Sequence, residues 1–309
     1  MKTLNRFWLF CALGLMIFAA CHKDNAYTSS NPTSPTPLQT YISGDSSLSI
    51  FNAAISRAGD THLYGGSDSV TVLVPTNDAF RAAGITAATI NSMSSSAVDS
   101  LLRYHFINQS ANLKTGTYTS YTSELGSKVY GYGGSTDSNY FNGARGVRVA
   151  VPGSKATVYR LNSALGVPYS TGADYLRSDT SLSYFSEALM RSGVNLSSDT
   201  GWTTVLVPTN NAFRSAGFNT MAAIDNIDSA TLRRTLLYHV LPGEYFTNSY
   251  SGLSNVGTSI EGSNINIGTS ATGATFTGNR NSSSTGFAGN NVLAGSNTIY
   301  QPINGVLMP

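Results

Sequence analysis

The sequence predicts an α+β fold built from two tandem domains. One observation is a repeat: Thr71–Phe80 reads TVLVPTNDAF, and Thr204–Phe213 reads TVLVPTNNAF. A second observation is that helical patterns precede strand-like segments in each copy, which favours an α+β arrangement over a doubly wound sheet. The spacing between the two blocks is far longer than a solenoid unit, so each copy is expected to have its own core.

Two further repeats support the same division. Asp45–Phe51 recurs as Asp179–Phe185, and Leu102–Ile107 is echoed by Leu236–Leu241. Three blocks that recur in one order with a nearly constant offset indicate a duplicated domain. We therefore predict a first domain over residues 38–170 and a second over residues 171–309.

Each copy is predicted to open with a helix. Asp45 and Asp179 have side chains suited to an N-cap, and Gly59 and Gly193 stand where a left-handed C-cap would end the helix. Apolar residues recur between them at helical spacing. These are Leu48, Phe51 and Ile55 in the first copy and Leu182, Phe185 and Leu189 in the second.

A buried strand is predicted next, at Val70–Val74 and Thr203–Val207, where short β-branched runs end at a proline. The Thr-Asn pair after each proline provides side-chain oxygens for a turn or an N-cap. Residues 97–107 and 230–241 have the pattern of a second amphipathic helix that reaches the Tyr-His pair. The remainder of each copy is rich in Gly, Ser, Thr and Asn and contains alternating segments typical of strands.

These blocks together resemble the fasciclin I-type domain. Its signature combines the TVLVPTNDAF block with a Tyr-His pair further along the chain and a closing Asn-Gly-Val-Leu-x-Pro block. The closing block stands within Asn297–Pro309, and a shorter version stands at Val158–Pro168. The resemblance implies a β-sandwich or wedge packed by helices, and a role in extracellular adhesion through binding of proteins or matrix, without catalysis.

The N-terminus has the pattern of an export signal, predicted over residues 1–20. Lys2 and Arg6 precede the apolar run Phe7–Ala20, which is too short to span a bilayer comfortably. The small residues before Cys21 and the polar residues after it resemble the lipobox of bacterial lipoproteins, which implies that Cys21 is lipidated. An ordinary secretory signal cut elsewhere, or an N-terminal anchor helix, is the alternative.

Residues 21–37 contain three of the chain's prolines and lack apolar periodicity, so they are predicted to form an extended tether. A lipid anchor followed by a tether predicts a protein of the cell envelope, attached to the outer membrane. Lipoproteins retained in the inner membrane have Asp directly after the lipidated cysteine, and here that residue is His22. Lys23-Asp24 resembles part of the signal that sends some lipoproteins to the outer face of the outer membrane, which suggests exposure at the cell surface.

Composition and motifs exclude several classes of function. The chain has a formal net charge of +2, and 11% of its residues are charged. This near-neutral composition does not provide the clustered lysine and arginine that nucleic-acid binding needs. The sequence contains no HExxH, CxxC, glycine-rich phosphate loop or GxSxG motif. We therefore expect no metal, no cofactor and no enzymatic activity.

The Tyr-His pairs are the first candidate contact residues. His105 and His239 occupy equivalent positions, preceded by Tyr104 and Tyr238. Related fasciclin domains use this region to bind receptors, so the resemblance implies a ligand contact. The alternative is a histidine at a helix end whose ring nitrogens bond to backbone groups.

A tyrosine-rich segment that is not repeated in the second copy provides the other candidates. Flat rings with polar tips suit stacking on sugars or burial in a protein interface. The alternative is that they are strand tyrosines, half of which face the core by alternation. The candidates are Tyr118, Tyr121, Tyr130, Tyr132 and Tyr140. The expected partner is an extracellular protein or matrix component, with a polysaccharide as the alternative.

Overall fold

The computed structural model describes residues 35–59, 70–134, 138–196 and 201–309. The predicted signal peptide, Cys21 and the tether as far as residue 34 lie outside these ranges. Across the ranges that are described, no helix combines the length and the apolar character needed to cross a membrane.

The helices of the first copy pack on one face of a single sheet. They are α1 (Pro37–Gly44), α2 (Ser49–Ala58), α3 (Asn77–Ala82), α4 (Ala87–Ser92) and α5 (Ser95–Tyr104). The first of these begins at Pro37, within the predicted tether. Pro37 suits the first turn of a helix, and the side chain of Thr36 caps α1 by accepting a hydrogen bond from Gln39 N–H.

The sheet of the first copy contains seven strands in the order β2-β1-β7-β6-β5-β4-β3. They are β1 (Thr71–Pro75), β2 (Phe106–Ile107), β3 (Tyr118–Thr122), β4 (Lys128–Gly133), β5 (Asn139–Phe141), β6 (Ala144–Val149) and β7 (Thr157–Leu161). The pairing of β1 with β7 is parallel, whereas the other neighbours are antiparallel.

The second copy repeats the helices and divides its strands between two sheets. Its helices are α6 (Gly172–Ser178), α7 (Ser183–Ser192), α8 (Asn210–Ser215), α9 (Met221–Asp225) and α10 (Ser229–Tyr238). One four-stranded sheet contains β14 (Val292–Ala294), β15 (Thr298–Ile303), β8 (Thr203–Pro208) and β9 (Val240–Pro242), in that order. The other contains β10 (Asn255–Gly257), β11 (Asn264–Ser270), β12 (Gly273–Thr277) and β13 (Thr285–Gly286).

A two-residue turn explains why the sheet is continuous only in the first copy. Asn142 (φ 47°) and Gly143 (φ 84°) join β5 to β6. Positive φ at both positions is what a tight hairpin turn needs, and Asn-Gly is the preferred pair. In the second copy residues 287–291 separate β13 from β14, so the two halves form separate sheets.

Each copy has a core on both sides of its first strand. Val72 and Val74 face the helices, whereas Leu73 faces the opposite core, which the curled strands enclose. Every residue of β1 and β8 is buried, as their β-branched sequences predict. The predicted α+β class with two tandem domains is confirmed.

The second amphipathic helix of each copy is shorter than predicted. The structure ends α5 at Tyr104 and α10 at Tyr238, and each histidine is the C-cap. The apolar residues that follow are extended and pair with the buried strand, Phe106 with Val72 and Val240 with Val205. Their hydrophobicity continues the helical pattern, so the sequence alone does not reveal the change of structure.

Candidate binding surfaces

The histidine of each Tyr-His pair is buried and bonded at both ring nitrogens. In the first copy Nδ1 of His105 lies 2.8 Å from Leu101 O, and Leu165 N–H donates to Nε2 at 3.1 Å. A carbonyl oxygen can only accept and an amide N–H can only donate, so the proton of the neutral ring must sit on Nδ1. His105 therefore ties the end of α5 to the chain beyond β7.

The second copy repeats this arrangement with different residues. Nδ1 of His239 lies 2.8 Å from Thr235 O, and Leu307 N–H donates to Nε2 at 2.9 Å. Burial disfavours the charged ring and lowers the pKa of both His105 and His239 to about 4. Both histidines are therefore neutral at physiological pH, and the structural interpretation of the pair is confirmed.

The preceding tyrosines also have bonded hydroxyls. Tyr104 donates to Lys128 O at 2.8 Å and accepts from the side chain of Asn142 at 2.8 Å. Tyr238 donates to Asn264 O at 2.7 Å and accepts from Asn279 N–H at 3.1 Å. Each tyrosine thus joins a helix end to the strands of its own copy.

These contacts correct the expectation that the Tyr-His pairs form a ligand surface. The side chains of Tyr104, His105 and Tyr238 are 0% exposed, and His239 is 1% exposed. A ligand cannot reach them while the domain is folded, because their polar atoms are already paired inside the core.

The tyrosine-rich segment places four rings on the outer face of the first sheet. Tyr118 lies opposite Tyr132 across β3 and β4, and Tyr132 lies opposite Tyr140 across β4 and β5. Tyr130 shares the face because it lies two residues before Tyr132. Tyr121 faces the other way and is buried in the core, which excludes it as a contact residue.

Two of these rings are covered by the second copy. The ring centre of Tyr118 lies 5.0 Å from that of Phe246, and its hydroxyl donates to Asn248 Oδ1 at 2.7 Å. Tyr130 packs edge-on against Trp202, with ring centres 4.9 Å apart. Tyr118 and Tyr130 therefore form the interface between the two domains, and the expected external contact is corrected for this pair.

Polar groups beside these rings join the same two domains. The side chain of Asn291 donates to Asn142 O at 2.8 Å, and Thr247 Oγ1 donates to Gly143 O at 3.2 Å. A Cβ at Gly143 would overlap Asn291 Nδ2 and lie 2.6 Å from Thr247 Oγ1. The Asn142-Gly143 turn therefore needs glycine for its φ angle and for this close approach.

One carboxylate is partly buried near this interface. Glu244 Oε1 is buried and has no hydrogen-bond partner within the described residues. Loss of solvent raises the pKa of Glu244, because burial penalises the charged form. Burial, and to a smaller extent the charge of Glu244, raises the pKa of Tyr118 and of Tyr130. Neither tyrosine has a positive charge that could neutralise the carboxylate.

Tyr132 and Tyr140 remain accessible on the outer face. Their ring centres lie 6.3 Å apart, and both rings are half-buried. Arg145 lies opposite Tyr140 across β5 and β6 and is exposed. Within the described residues the hydroxyls of both tyrosines and the Arg145 guanidinium make no hydrogen bond, so these polar groups are available to a ligand.

A cleft opens between the two domains beside the polar interface contacts. Its volume is about 300 Å³, and residues of both copies line it. The first copy contributes the Asn142-Gly143 turn and residues 162–166, and the second contributes Thr272-Gly273 and much of the segment 287–291. Over the part of the chain that the structure describes, no group of acidic, cysteine and histidine side chains is arranged to hold a metal ion.

Sequence reasoning did not identify the interface residues of the second copy. When the repeated blocks of the two copies are aligned, Trp202 stands in the place of Ser69, and Phe246 stands in the place of Asn112. An aromatic residue in one copy opposite a small or polar residue in the other is a signal for a contact that only one copy makes. Comparing the two copies position by position would therefore have indicated Trp202 and Phe246.

The family of the chain follows from a comparison with known domains. The fasciclin domain model matches residues 46–168 and 180–309, which together form more than half of the chain. The chain therefore belongs to the fasciclin domain family, and its two copies are tandem fasciclin domains. The resemblance inferred from the TVLVPTNDAF blocks is confirmed. The predicted boundary between residues 170 and 171 stays a prediction.

A solved structure of a FAS1 domain pair, from the insect cell adhesion molecule fasciclin I, is similar to this chain. The identity is 17% and the TM-score is 0.41, over 84% of this chain and 96% of that chain. No curated protein matches the chain. Fasciclin domains are commonly involved in cell adhesion or binding.

Proposed function

We propose that this chain is a lipid-anchored, extracytoplasmic adhesion protein that contacts protein or matrix ligands through its two fasciclin domains. The observation that carries the proposal is that both copies are fasciclin domains. The lipobox-like sequence before Cys21 supports attachment to the outer membrane, with exposure at the cell surface. The mechanism is passive binding, without catalysis, metal or cofactor.

The interface between the domains supports a role in presenting contact surfaces. Aromatic packing of Tyr130 on Trp202 and the hydrogen bond from Asn291 to Asn142 O hold the two domains together. Two fixed surfaces on one tethered unit raise avidity when both can engage the same target. A stiff pair of domains also loses less conformational entropy on binding than a flexible pair.

The test is retention of a protein partner by the purified full chain in detergent. The chain is immobilised, cell-surface extract is passed over it, and each retained protein is purified and measured again for direct binding. A partner that binds directly supports the proposal. Retention of no protein, or of polysaccharide alone, contradicts it.

A second candidate function is capture of polysaccharide at the cell surface, favoured by the accessible rings of Tyr132 and Tyr140 beside Arg145. Neighbouring aromatic rings with free hydroxyls suit stacking on sugars and hydrogen bonding to them. A glycan array separates this function from protein adhesion. Tyr132→Ser and Tyr140→Ser should each abolish a signal that Thr122→Ala, an exposed change on the same face, preserves.

A further inference from the structure

We propose that the cleft between the two fasciclin domains is a binding site for one ring of a neutral oligosaccharide. This site is separate from the tyrosine face and goes beyond the proposed adhesion. It needs both domains, since each contributes one wall. Domain interfaces are a common location for small-ligand sites, and about 300 Å³ is the lower end of their usual volume.

Unpaired polar groups line the cleft. The hydroxyl of Ser163 and the side-chain N–H groups of Asn162 make no hydrogen bond within the described residues. The side chain of Asn290 reaches Ala164 O only at 3.5 Å, the limit for a hydrogen bond. The Ser163 hydroxyl and the Asn290 amide can donate and accept, and the Asn162 N–H groups can donate, because Asn162 Oδ1 already accepts from Arg145 N–H. The hydroxyls of a sugar require both kinds of partner.

The cleft has no charged side chain among its described lining residues. An acidic sugar or a phosphate would bring a charge into the site with no partner to neutralise it, at a considerable desolvation cost. A neutral ligand avoids that cost. The uncharged lining therefore favours a neutral ligand over an acidic or phosphorylated one.

Apolar surface in the cleft suits the carbon face of a sugar ring. The ring of Phe287 and the side chain of Leu293 line the wall of the second domain. Aromatic rings commonly pack against flat apolar faces. Gly166 and Gly289 leave the backbone uncovered on opposite walls, so a ligand can also approach main-chain groups closely.

The interdomain contacts fix the walls of the cleft. Asn291 lines it and holds Asn142 O on the opposite wall, while Gln301 donates to Asn291 Oδ1 at 2.7 Å. Gln301 is 0% exposed, so Asn291 is held from the core of the second domain. A site whose walls are already in place has little ordering to complete when the ligand binds.

Gly166→Phe is the decisive variant. A Cβ at Gly166 meets no atom within 4 Å, and its φ angle lies outside the left-handed region. The backbone therefore tolerates a phenylalanine, and because Gly166 lines the cleft we expect the added ring to obstruct it. Gly44→Phe is the matched control, because Gly44 is exposed on the first helix and its Cβ also meets nothing within 4 Å.

The probes are cello-, manno- and xylo-oligosaccharides, with oligogalacturonate as the acidic comparison. They are titrated calorimetrically into the full chain, held in a detergent without a sugar head group. We expect at least one neutral oligosaccharide to bind, with affinity reduced at least tenfold by Gly166→Phe and unchanged by Gly44→Phe. Asn290→Ala should weaken the same probe about fivefold, which provides a second test if Gly166→Phe lowers the melting temperature.

The proposal is overturned if none of the neutral probes binds, if only the acidic probe binds, or if Gly166→Phe binds like the wild type. Binding that survives Gly166→Phe but is lost in Tyr140→Ser belongs to the tyrosine face and overturns the cleft site. A protein partner retained by Gly166→Phe leaves the adhesion proposal standing, so the two proposals fail separately.

Discussion

At the scale of single residues, the buried histidines show how one hydrogen-bond pattern serves two domains. His105 receives an N–H from Leu165, and His239 receives one from Leu307. Both donors lie in the closing block of their copy, beyond the last strand. Each histidine thus connects the middle of its domain to the end, which explains its place in the family's signature without any ligand.

Replacing either histidine should destabilise its domain. His105→Ala and His239→Ala leave a carbonyl and an N–H unpaired in the core, at a cost of about 1–3 kcal/mol in the free energy of unfolding. The measurement is thermal or urea unfolding of each variant beside the wild type. Unchanged stability in both variants, or stoichiometric metal in the purified wild type, would overturn the structural role.

The same histidines predict sensitivity to acid. Their pKa of about 4 in the folded chain lies below the ordinary 6.5, so between these values the unfolded chain binds more protons. The stabilisation is complete above pH 6.5 and is lost as the pH falls towards 4, by up to about 3 kcal/mol for each histidine. Urea unfolding from pH 7 to pH 4 measures it, and a flat profile would contradict the prediction.

Cys21 provides a prediction for a residue outside the described ranges. A buried lipid CH₂ contributes about 0.8 kcal/mol, so several acyl chains hold a protein on a membrane essentially permanently. Cys21→Ser should release the chain from the membrane fraction or leave its signal peptide uncleaved. Cell fractionation and immunoblotting measure both results. A variant that is processed and sedimented like the wild type would show that Cys21 is not lipidated.

At the scale of elements, the Thr-Asn pair after each buried strand organises two helices. Thr76 caps α3 by accepting from Ala79 N–H, while Asn77 accepts from Ile50 N–H at 2.9 Å and donates to Ser46 O at 2.9 Å. Asn77 thereby fixes the start of α2 on the end of β1. The sequence predicts the Thr76 cap because a cap joins residues that are close in the chain. The hydrogen bond from Ile50 N–H to Asn77 joins distant parts of the chain and depends on the tertiary structure.

Replacing Asn77 should lower the free energy of unfolding more than replacing its neighbour Asp78. Asn77→Ala leaves the buried Ile50 N–H without a partner and removes one of the two hydrogen bonds to Ser46 O, which still accepts from Ser49 N–H. We expect a loss of about 2 kcal/mol in the free energy of unfolding. Asp78→Ala is the matched control, because the Asp78 side chain is 94% exposed and its contact with Arg81 contributes little. Urea unfolding compares the two variants, and equal losses would show that Asn77 does not organise these helices.

The strands illustrate what a sequence of this kind predicts well and what it does not. Short β-branched runs before a proline identified β1 and β8, because burial on both faces leaves a continuous apolar pattern. Alternation predicted that only part of the tyrosine segment faces the core, as Tyr121 does. It could not show that the second domain covers Tyr118 and Tyr130, since that contact depends on Phe246 and Trp202 in the other copy.

At the scale of the whole molecule, the two domains are joined by a specific interface. Phe246, Leu293 and Ile299 form an apolar cluster with partly buried Tyr118 and Tyr130. The segment between β7 and α6 is also attached to the second domain, since Tyr169 N–H donates to Leu293 O at 2.9 Å. We therefore expect the second domain to stabilise the first against unfolding.

A fragment containing residues 35–170 tests this stabilisation. Its core is complete without the second domain, so it should unfold cooperatively. The exposed faces of Tyr118 and Tyr130 should lower its melting temperature by several degrees relative to the first domain within the full chain. Circular dichroism measures the transition. The absence of a cooperative transition would place the domain boundary elsewhere, and an unchanged temperature would show that the interface does not stabilise the first domain.

The parallel pairing of first and last strands has a consequence for the export that we propose for this chain. In the second domain β8 lies beside β15, so the strand made first needs a neighbour that is made only at the end of the domain. A chain threaded through a membrane from its N-terminus cannot close that sheet until β15 has emerged, and such distant pairing folds slowly. The first domain, whose β1 meets β7, can close while the second is still in transit. Folding on the far side of the membrane should therefore proceed one domain at a time, in the order of emergence.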